Sequence, residues 1–317
     1  MEHPETIGQL SEEALIAILA PPGPPMVPDP PEGPGDDAAV LPASGGTQVV
    51  TTDGVVSGVH FQTTDPAELV GNKLVNRNCS DLAAMGARPR QGFLNVSMGK
   101  DWPLRHFRTF AKGLHHTLQE HRISLNGGDI TGGPDHSFAA FLTLIGETVS
   151  PPLLRHSGAD GNAIWVTGSL GNSLTTGHHL SFEPRLKEGQ WLAASGWVTS
   201  MVDVSDGLGK ELPFLLRPNM VAEIDTEAIP LRSGPTGKSP PWRHAFEDGE
   251  DHELLFATKA GTNLEDFSHH WSERFTTPLT CIGKISHWDH PDHPVVDQAS
   301  GLPMTLSGFR HWNSGLP

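Results

Sequence analysis

Residues 202–208 read V-D-V-S-D-G-L, with Asp203 and Asp206 three positions apart at the end of an apolar run. Five other stretches set a carboxylate beside an apolar segment and a glycine or polar turn. They are G-D-D-A-A-V-L (35–41), T-T-D-G (51–54), N-C-S-D-L-A-A-M-G-A (78–87), N-G-G-D-I-T-G-G (126–133) and G-E-D-H-E-L-L-F (249–256). Any one of them reads as a turn or a helix cap, because Asp and Gly are turn residues and Asp caps helices. Six in one chain point to a shared task. Carboxylate oxygens suit Mg²⁺, which takes few protein ligands and binds substrate phosphates directly. Glycines beside them let backbone N–H groups approach phosphate oxygens. These are parts for phosphoryl transfer, in which charge on the transferred group must be neutralised and its oxygens held in line.

The bulk numbers agree with that chemistry. The chain has 317 residues, with 21 Lys and Arg against 37 Asp and Glu, a formal charge of −16. Such a field repels nucleic acid and anionic lipid surfaces, so neither is an expected partner. Small anionic substrates remain possible where metal ions mediate the contact. The two cysteines, Cys79 and Cys281, do not make a disulfide scaffold. No signal peptide or bilayer-length apolar run is visible, which makes the cytoplasm the expected location. There is no P-loop, no kinase catalytic loop and no D-F-G. ATP, if bound, must be held by another route.

The elements that must position these acids follow from periodicity and punctuation. Residues 8–20 read as a short helix and 21–34 as a proline-rich loop. A strand is expected over 47–53. A helix is expected from an Asp65 N-cap with Pro66 in its first turn, running to Gly86. A second helix fits 102–121, with Leu104, Phe107, Phe110, Leu114 and Leu118 on one stripe. Further strands are expected over 138–149, at 163, at 201 and over 253–258. The Pro/Gly-rich stretch after 149 marks a boundary, giving domains 1–150 and 151–317 of α/β or α+β type.

Taken in order, G-D-D-A-A-V-L, T-T-D-G-V-V-S-G-V-H-F, S-D-L-A-A-M-G-A-R-P, G-G-D-I-T-G-G, V-T-G-S-L-G, V-D-V-S-D-G-L and G-E-D-H-E-L-L-F cover most of the chain. This ordered set closely resembles the thiamine-monophosphate kinases, relatives of aminoimidazole ribonucleotide synthetase. The resemblance implies a two-domain aminoimidazole ribonucleotide synthetase-like fold whose N-terminal sheet pairs across a homodimer. It implies ATP-dependent phosphorylation of thiamine monophosphate, with several Mg²⁺ ions and no covalent intermediate. Matched motif by motif, it puts Mg²⁺ at Asp37, Thr51, Thr52, Asp53, Asp81, Asp129, Asp203 and Asp206. It puts ATP at Gly128, Asp129, Arg155 and Ser205, and the substrate at His60, Glu250 and Phe309. Three positions depart from the family pattern: Gly132 and His156 stand where it has arginines, and His252 where it has tyrosine. The runner-up readings are a catalytically impaired homologue that binds nucleotide or thiamine phosphate, and a superfamily kinase or synthetase with a shifted substrate.

Overall fold

The structure is a computed structural model that describes residues 39–43, 46–235, 237–288, 293–304 and 308. The expected helix at 8–20, the loop at 21–34, Asp37 and Phe309 lie outside the described residues. Two sheets organise the chain. The first has the order β1-β2-β5-β3-β4, from β1 (Ala39–Ala43), β2 (Gly46–Val56), β3 (Arg88–Gly99), β4 (Ser124–Gly133) and β5 (Phe138–Thr148). Only β3 and β4 run parallel. Two helices lie on one face, α1 (Ala67–Ala84) and α2 (Leu104–Glu120).

Strand alternation decides which residues meet those helices. Val49, Thr51, Val55, Ala140, Leu142 and Leu144 are buried beneath them. Phe93 and Phe141, on the other face, stay 39% and 45% exposed. The expected stripe on α2 holds at Phe110, Leu114 and Leu118, all buried, whereas Leu104 at the first turn is exposed. The two helices touch backbone to backbone. A Cβ on Gly71 would overlap the Phe110 carbonyl oxygen, and one on Gly113 would overlap that of Glu68.

The second sheet has the order β11-β8-β10-β6-β9-β7. Its strands are β6 (Ala163–Thr167), β7 (Val198–Asp203), β8 (Met220–Ile224), β9 (Leu254–Thr258), β10 (Leu279–His287) and β11 (Val295–Asp297). Between them lie α3 (Ser173–Thr176), α4 (His178–Ser181), α5 (Leu186–Ser195), α6 (Leu208–Leu215), α7 (Arg243–Glu247) and α8 (Leu264–Ser272). One apolar cluster joins α1 and the first sheet to Trp165, Met201, Leu254 and Phe256. A second fills the opposite face of the second sheet, from Ile164, Val166 and Val202 to Leu208 and Leu212 on α6. Both cysteines are free. No helix among the described residues is long and apolar enough to cross a membrane.

Two local expectations are corrected. Pro66, not Asp65, is the N-cap of α1, and no side chain caps it. The Asp65 carboxylate instead accepts the Gln62 N–H at 2.7 Å, closing the preceding turn. The acidic motifs also do not all sit at turns. T-T-D-G lies inside β2, S-D-L-A-A inside the last turns of α1, and G-G-D-I-T-G-G inside β4. Among the motifs that fall wholly within the described residues, V-D-V-S-D-G-L and G-E-D-H-E-L-L-F sit at element junctions.

Candidate active site

The acids meet where α1 passes between the two sheets. Thr51 and Asp53 leave β2 on the same face, towards α1, because they are two residues apart. The Thr51 hydroxyl donates to the Asp81 carboxylate near the end of α1. Next to Asp81, the Ser80 hydroxyl donates at 2.6 Å to Asp203, the last residue of β7. Two adjacent residues of α1 therefore tie Thr51 of the first sheet to Asp203 of the second. Asp203 is buried, which opposes its ionisation, yet the bonds from His252 and Ser80 hold its carboxyl below the usual range. Arg155, whose guanidinium lies 4.4 Å over the Phe214 ring, adds to that lowering.

Cations from α1 interleave with these carboxylates. Arg77 grips Asp53 with two bonds, Nε at 2.6 Å and Nη2 at 3.1 Å, and reaches Glu250 with Nη1 at 3.2 Å. Lys73, one turn earlier and fully buried, pairs with the other Glu250 oxygen at 2.9 Å. Its ammonium also donates to the His60 carbonyl at 2.8 Å and contacts His179 Nδ1 at 3.0 Å. His252 bridges Asp203 and Glu250 at 3.3 Å each, and Phe182 stacks on its ring at 4.1 Å. Burial opposes ionisation of Glu250, but Arg77, His252 and Lys73 hold its carboxyl well below the carboxylate range. Burial, then Arg77, pushes the His60 imidazole down to about 4. Its Nδ1 accepts the Val56 N–H at 3.0 Å, so the proton of the neutral ring sits on Nε2.

The loop between β7 and α6 interlocks with residues 249–252. Glu250 N–H donates to the Ser205 carbonyl at 2.6 Å, and His252 N–H to that of Val204 at 2.8 Å. Glu250 and His252 take φ of 60° and 51°, a left-handed backbone that costs free energy in non-glycine residues and clusters at functional sites. Asp206 is paired with Lys210 at 2.5 Å, and the Ser205 hydroxyl reaches Glu211 at 3.3 Å. Gly308 stands against the same loop. A Cβ there would lie 2.6 Å from the Asp206 carbonyl oxygen. This brings the residue before Phe309 to the rim of the site.

Other predicted residues stand apart. Thr52 points to the open face of the first sheet, where it meets Thr143 at 3.0 Å. Asp129 also lies on that face, in register with Asn95, Phe141 and Gly54 across β3, β5 and β2. Three strand spacings put it roughly 14 Å from β2. Its neighbour Gly128 lies so close to β3 that a Cβ would overlap the Leu94 carbonyl. Among the described residues, no group of three His, Cys, Asp or Glu side chains is arranged to hold a metal ion. The donors are all hard oxygens placed in ones and twos. That fits Mg²⁺, which is bound by one or two carboxylates plus substrate phosphates, not by an all-protein cage.

Lys73, Arg77, Ser80 and His179 escaped sequence reasoning. The signal was present for three of them: 73, 77 and 80 share one helical stripe ending beside Asp81, a polar face on a helix that is otherwise largely buried. His179 carried no such signal.

Two sheets, an acid-lined junction and glycine-edged strands define the fold class of the AIR synthase-related proteins. Residues 35–148 match the family described as AIR synthase related protein, N-terminal domain. A thiamine-monophosphate kinase of Rhodopirellula baltica is 32% identical, over 80% of this chain and 83% of its own length. The thiamine-monophosphate kinase structure from Stenotrophomonas maltophilia K279a superposes with a TM-score of 0.70 at 30% identity, covering 85% of this chain and 91% of that one. The structure described as AaThiL complexed with AMPPCP and TMP gives a TM-score of 0.80 at 23% identity, covering 98% and 100% of the two chains. The chain belongs to the thiamine-monophosphate kinase family, a family of phosphotransferases.

Proposed function

We propose that this chain transfers the terminal phosphoryl group of ATP to the phosphate of thiamine monophosphate, giving thiamine diphosphate and ADP. The observation that carries this reading is family membership over most of the chain. Its structural counterpart is the wall of alternating carboxylates and cations along α1. The acceptor is a phosphate oxygen, anionic near neutral pH, so no strong general base is required. The P–O bond to ADP breaks as the P–O bond to the acceptor forms, and placement and electrostatics supply most of the rate. Asp53, Asp81, Thr51, Asp203 and Asp206 would hold Mg²⁺, with Asp37, Thr52 and Asp129 completing the set. Bound Mg²⁺ would neutralise phosphate charge and hold the transferring oxygens in line. Gly128, Arg155 and Ser205 are assigned to the nucleotide, and His60, Glu250 and Phe309 to the acceptor.

The boundary at 150/151 and a cytoplasmic location belong to the same proposal. So does a homodimer through the open face of the first sheet, where Phe93 and Phe141 are exposed. The test is direct. The protein is incubated with thiamine monophosphate, ATP and Mg²⁺, and both products are followed chromatographically, with and without EDTA. Metal-dependent formation of thiamine diphosphate and ADP is expected. Binding of both substrates without product would overturn the assignment as a kinase.

A further inference from the structure

A second concavity lies on the other side of α1. It is a cleft of about 880 Å³, walled by α1, α2 and the start of β3 on one side. The other wall is formed by residues 180–190 and 274–277. Arg88 and Arg122 stand on the first wall, Lys187 and Arg274 on the second. All four are exposed, and none pairs with a carboxylate among the described residues. What sets them apart is their convergence on one cleft, whereas the largely buried cations Lys73, Arg77 and Arg232 are each held by carboxylates. Two like charges on each of two facing walls repel across the opening. Glu120 and Glu183 also line the cleft and moderate that repulsion. The third acid, Glu188, is engaged by the Thr277 hydroxyl at 2.5 Å.

We propose that this cleft binds the di- or triphosphate group of a small molecule, which bridges the two walls as a regulatory clamp. Guanidinium groups match phosphate oxygens in bidentate fashion. Cations on both walls call for a ligand with several charged oxygens in a row, which a lone phosphate lacks. The cleft is also wired to the candidate active site. In its wall, the Asn76 amide donates to the Phe182 carbonyl at 2.9 Å. The Phe182 ring stacks on His252, the residue that bridges Asp203 and Glu250. Arg185, also in the wall, holds Glu253 at 2.6 and 2.7 Å, one residue further on. An anion that draws the walls together therefore bears on the same junction that carries the acids.

The probe is sodium tripolyphosphate without Mg²⁺, titrated calorimetrically into the full chain at low and high salt. Lys187→Ala/Arg274→Ala is the variant, both sites being exposed and outside the assigned active site. The wild type is expected to bind, more weakly as salt rises. The double variant is expected to bind on the order of tenfold more weakly or worse. Its unfolding midpoint, and its thiamine monophosphate phosphorylation without tripolyphosphate, should be unchanged. Arg88→Ala, on the other wall, should weaken binding as well. Equal affinity in wild type and variants, or no binding by the wild type at millimolar probe, overturns the proposal whatever the kinase assay shows. Parallel titrations with ADP separate the two sources of the group. Equal loss for both probes means the phosphate chain alone is read, and selective loss for ADP means a nucleotide is.

Discussion

The pair between Lys73 and Glu250 offers the sharpest test of how the junction is held. Lys73 is fully buried and the Glu250 side chain is 19% exposed, with Nζ and Oε2 2.9 Å apart. At an effective dielectric of 20 that separation corresponds to a raw attraction of about 6 kcal/mol. Desolvating the ammonium cancels much of it, and truncating one partner of a buried pair costs about 3–5 kcal/mol. Lys73→Met should fall near the low end, about 3 kcal/mol, because Glu250 keeps two other partners. These are Arg77 at 3.2 Å and His252 at 3.3 Å. Part of the loss comes from the His60 carbonyl and His179, which lose a donor.

A double-mutant cycle isolates the pair. Lys73→Met, Glu250→Gln and the double variant are unfolded in urea, followed by tryptophan fluorescence and far-ultraviolet circular dichroism. Coincident transitions justify the free energies. The double variant should be more stable than the sum of the singles implies, by about 1.5 kcal/mol or more, since it leaves no uncompensated buried charge. A coupling below about 0.5 kcal/mol would refute the claim that Lys73 is there to hold Glu250 ionised.

Three further outcomes are expected. Asp53→Asn should fold but lose phosphoryl transfer by orders of magnitude, and normal turnover in that variant would remove Asp53 from the metal-binding set. Gly113→Ala should destabilise by about 1–3 kcal/mol, since the new methyl meets the Glu68 carbonyl of the facing helix; an unchanged urea midpoint would contradict the helix–helix contact. The third outcome concerns pH. His60 and His178 are both pushed down to about 4, chiefly by burial, with Arg77 adding at His60 and Arg232 at His178. The unfolded chain protonates them near pH 6.5, so it binds more protons than the folded one between about 6.5 and 4, and stability falls as pH drops through that window. Asp251, raised to about 6 by burial against the pull of Arg232, works in the opposite sense from pH 6 downwards. Both imidazoles are only half-buried, and with that screening the net loss from pH 7 to 5 is about 1 kcal/mol. Greater stability at pH 5 than at pH 7 would contradict this balance.

The acids of the site were legible in the sequence because Asp beside Gly at the edge of an apolar run is a local pattern. Strand and helix periods placed β2, α1, α2 and β5 within a few residues of their observed ends. Sidedness was not legible in the same way. Thr51, Thr52 and Asp53 are consecutive and share one motif, yet the pleat sends Thr52 to the open face and its neighbours to α1. Asp129 follows the same rule on an edge strand. The cations were less legible still, because a lysine and an arginine inside a helix look like solvated positions until a second sheet closes over them.

That closure explains why so many negative charges are tolerated at one junction. Asp53, Asp203, Asp206 and Glu250 each meet a cation or a histidine, and for Glu250 the partners come from the other sheet's side of the molecule. The wall's own cations offset much of its negative charge, so the two sheets can pack beside it on a common apolar cluster. The same partners hold Glu250 and Asp203 as anions, ready to face positive charge. Lys210 lies one helical turn from Asp206, and Arg77 reaches Asp53 on β2 from α1 while keeping Glu250; both acids are partly exposed, so each cation can let go of its aspartate without leaving a buried charge unpaired. Lys73 cannot. It is fully enclosed, and its three contacts fix Glu250, His60 and His179 relative to one another. The junction thus combines exchangeable cations at its mouth with a permanent one at its base, and the base sets the geometry into which the mouth opens.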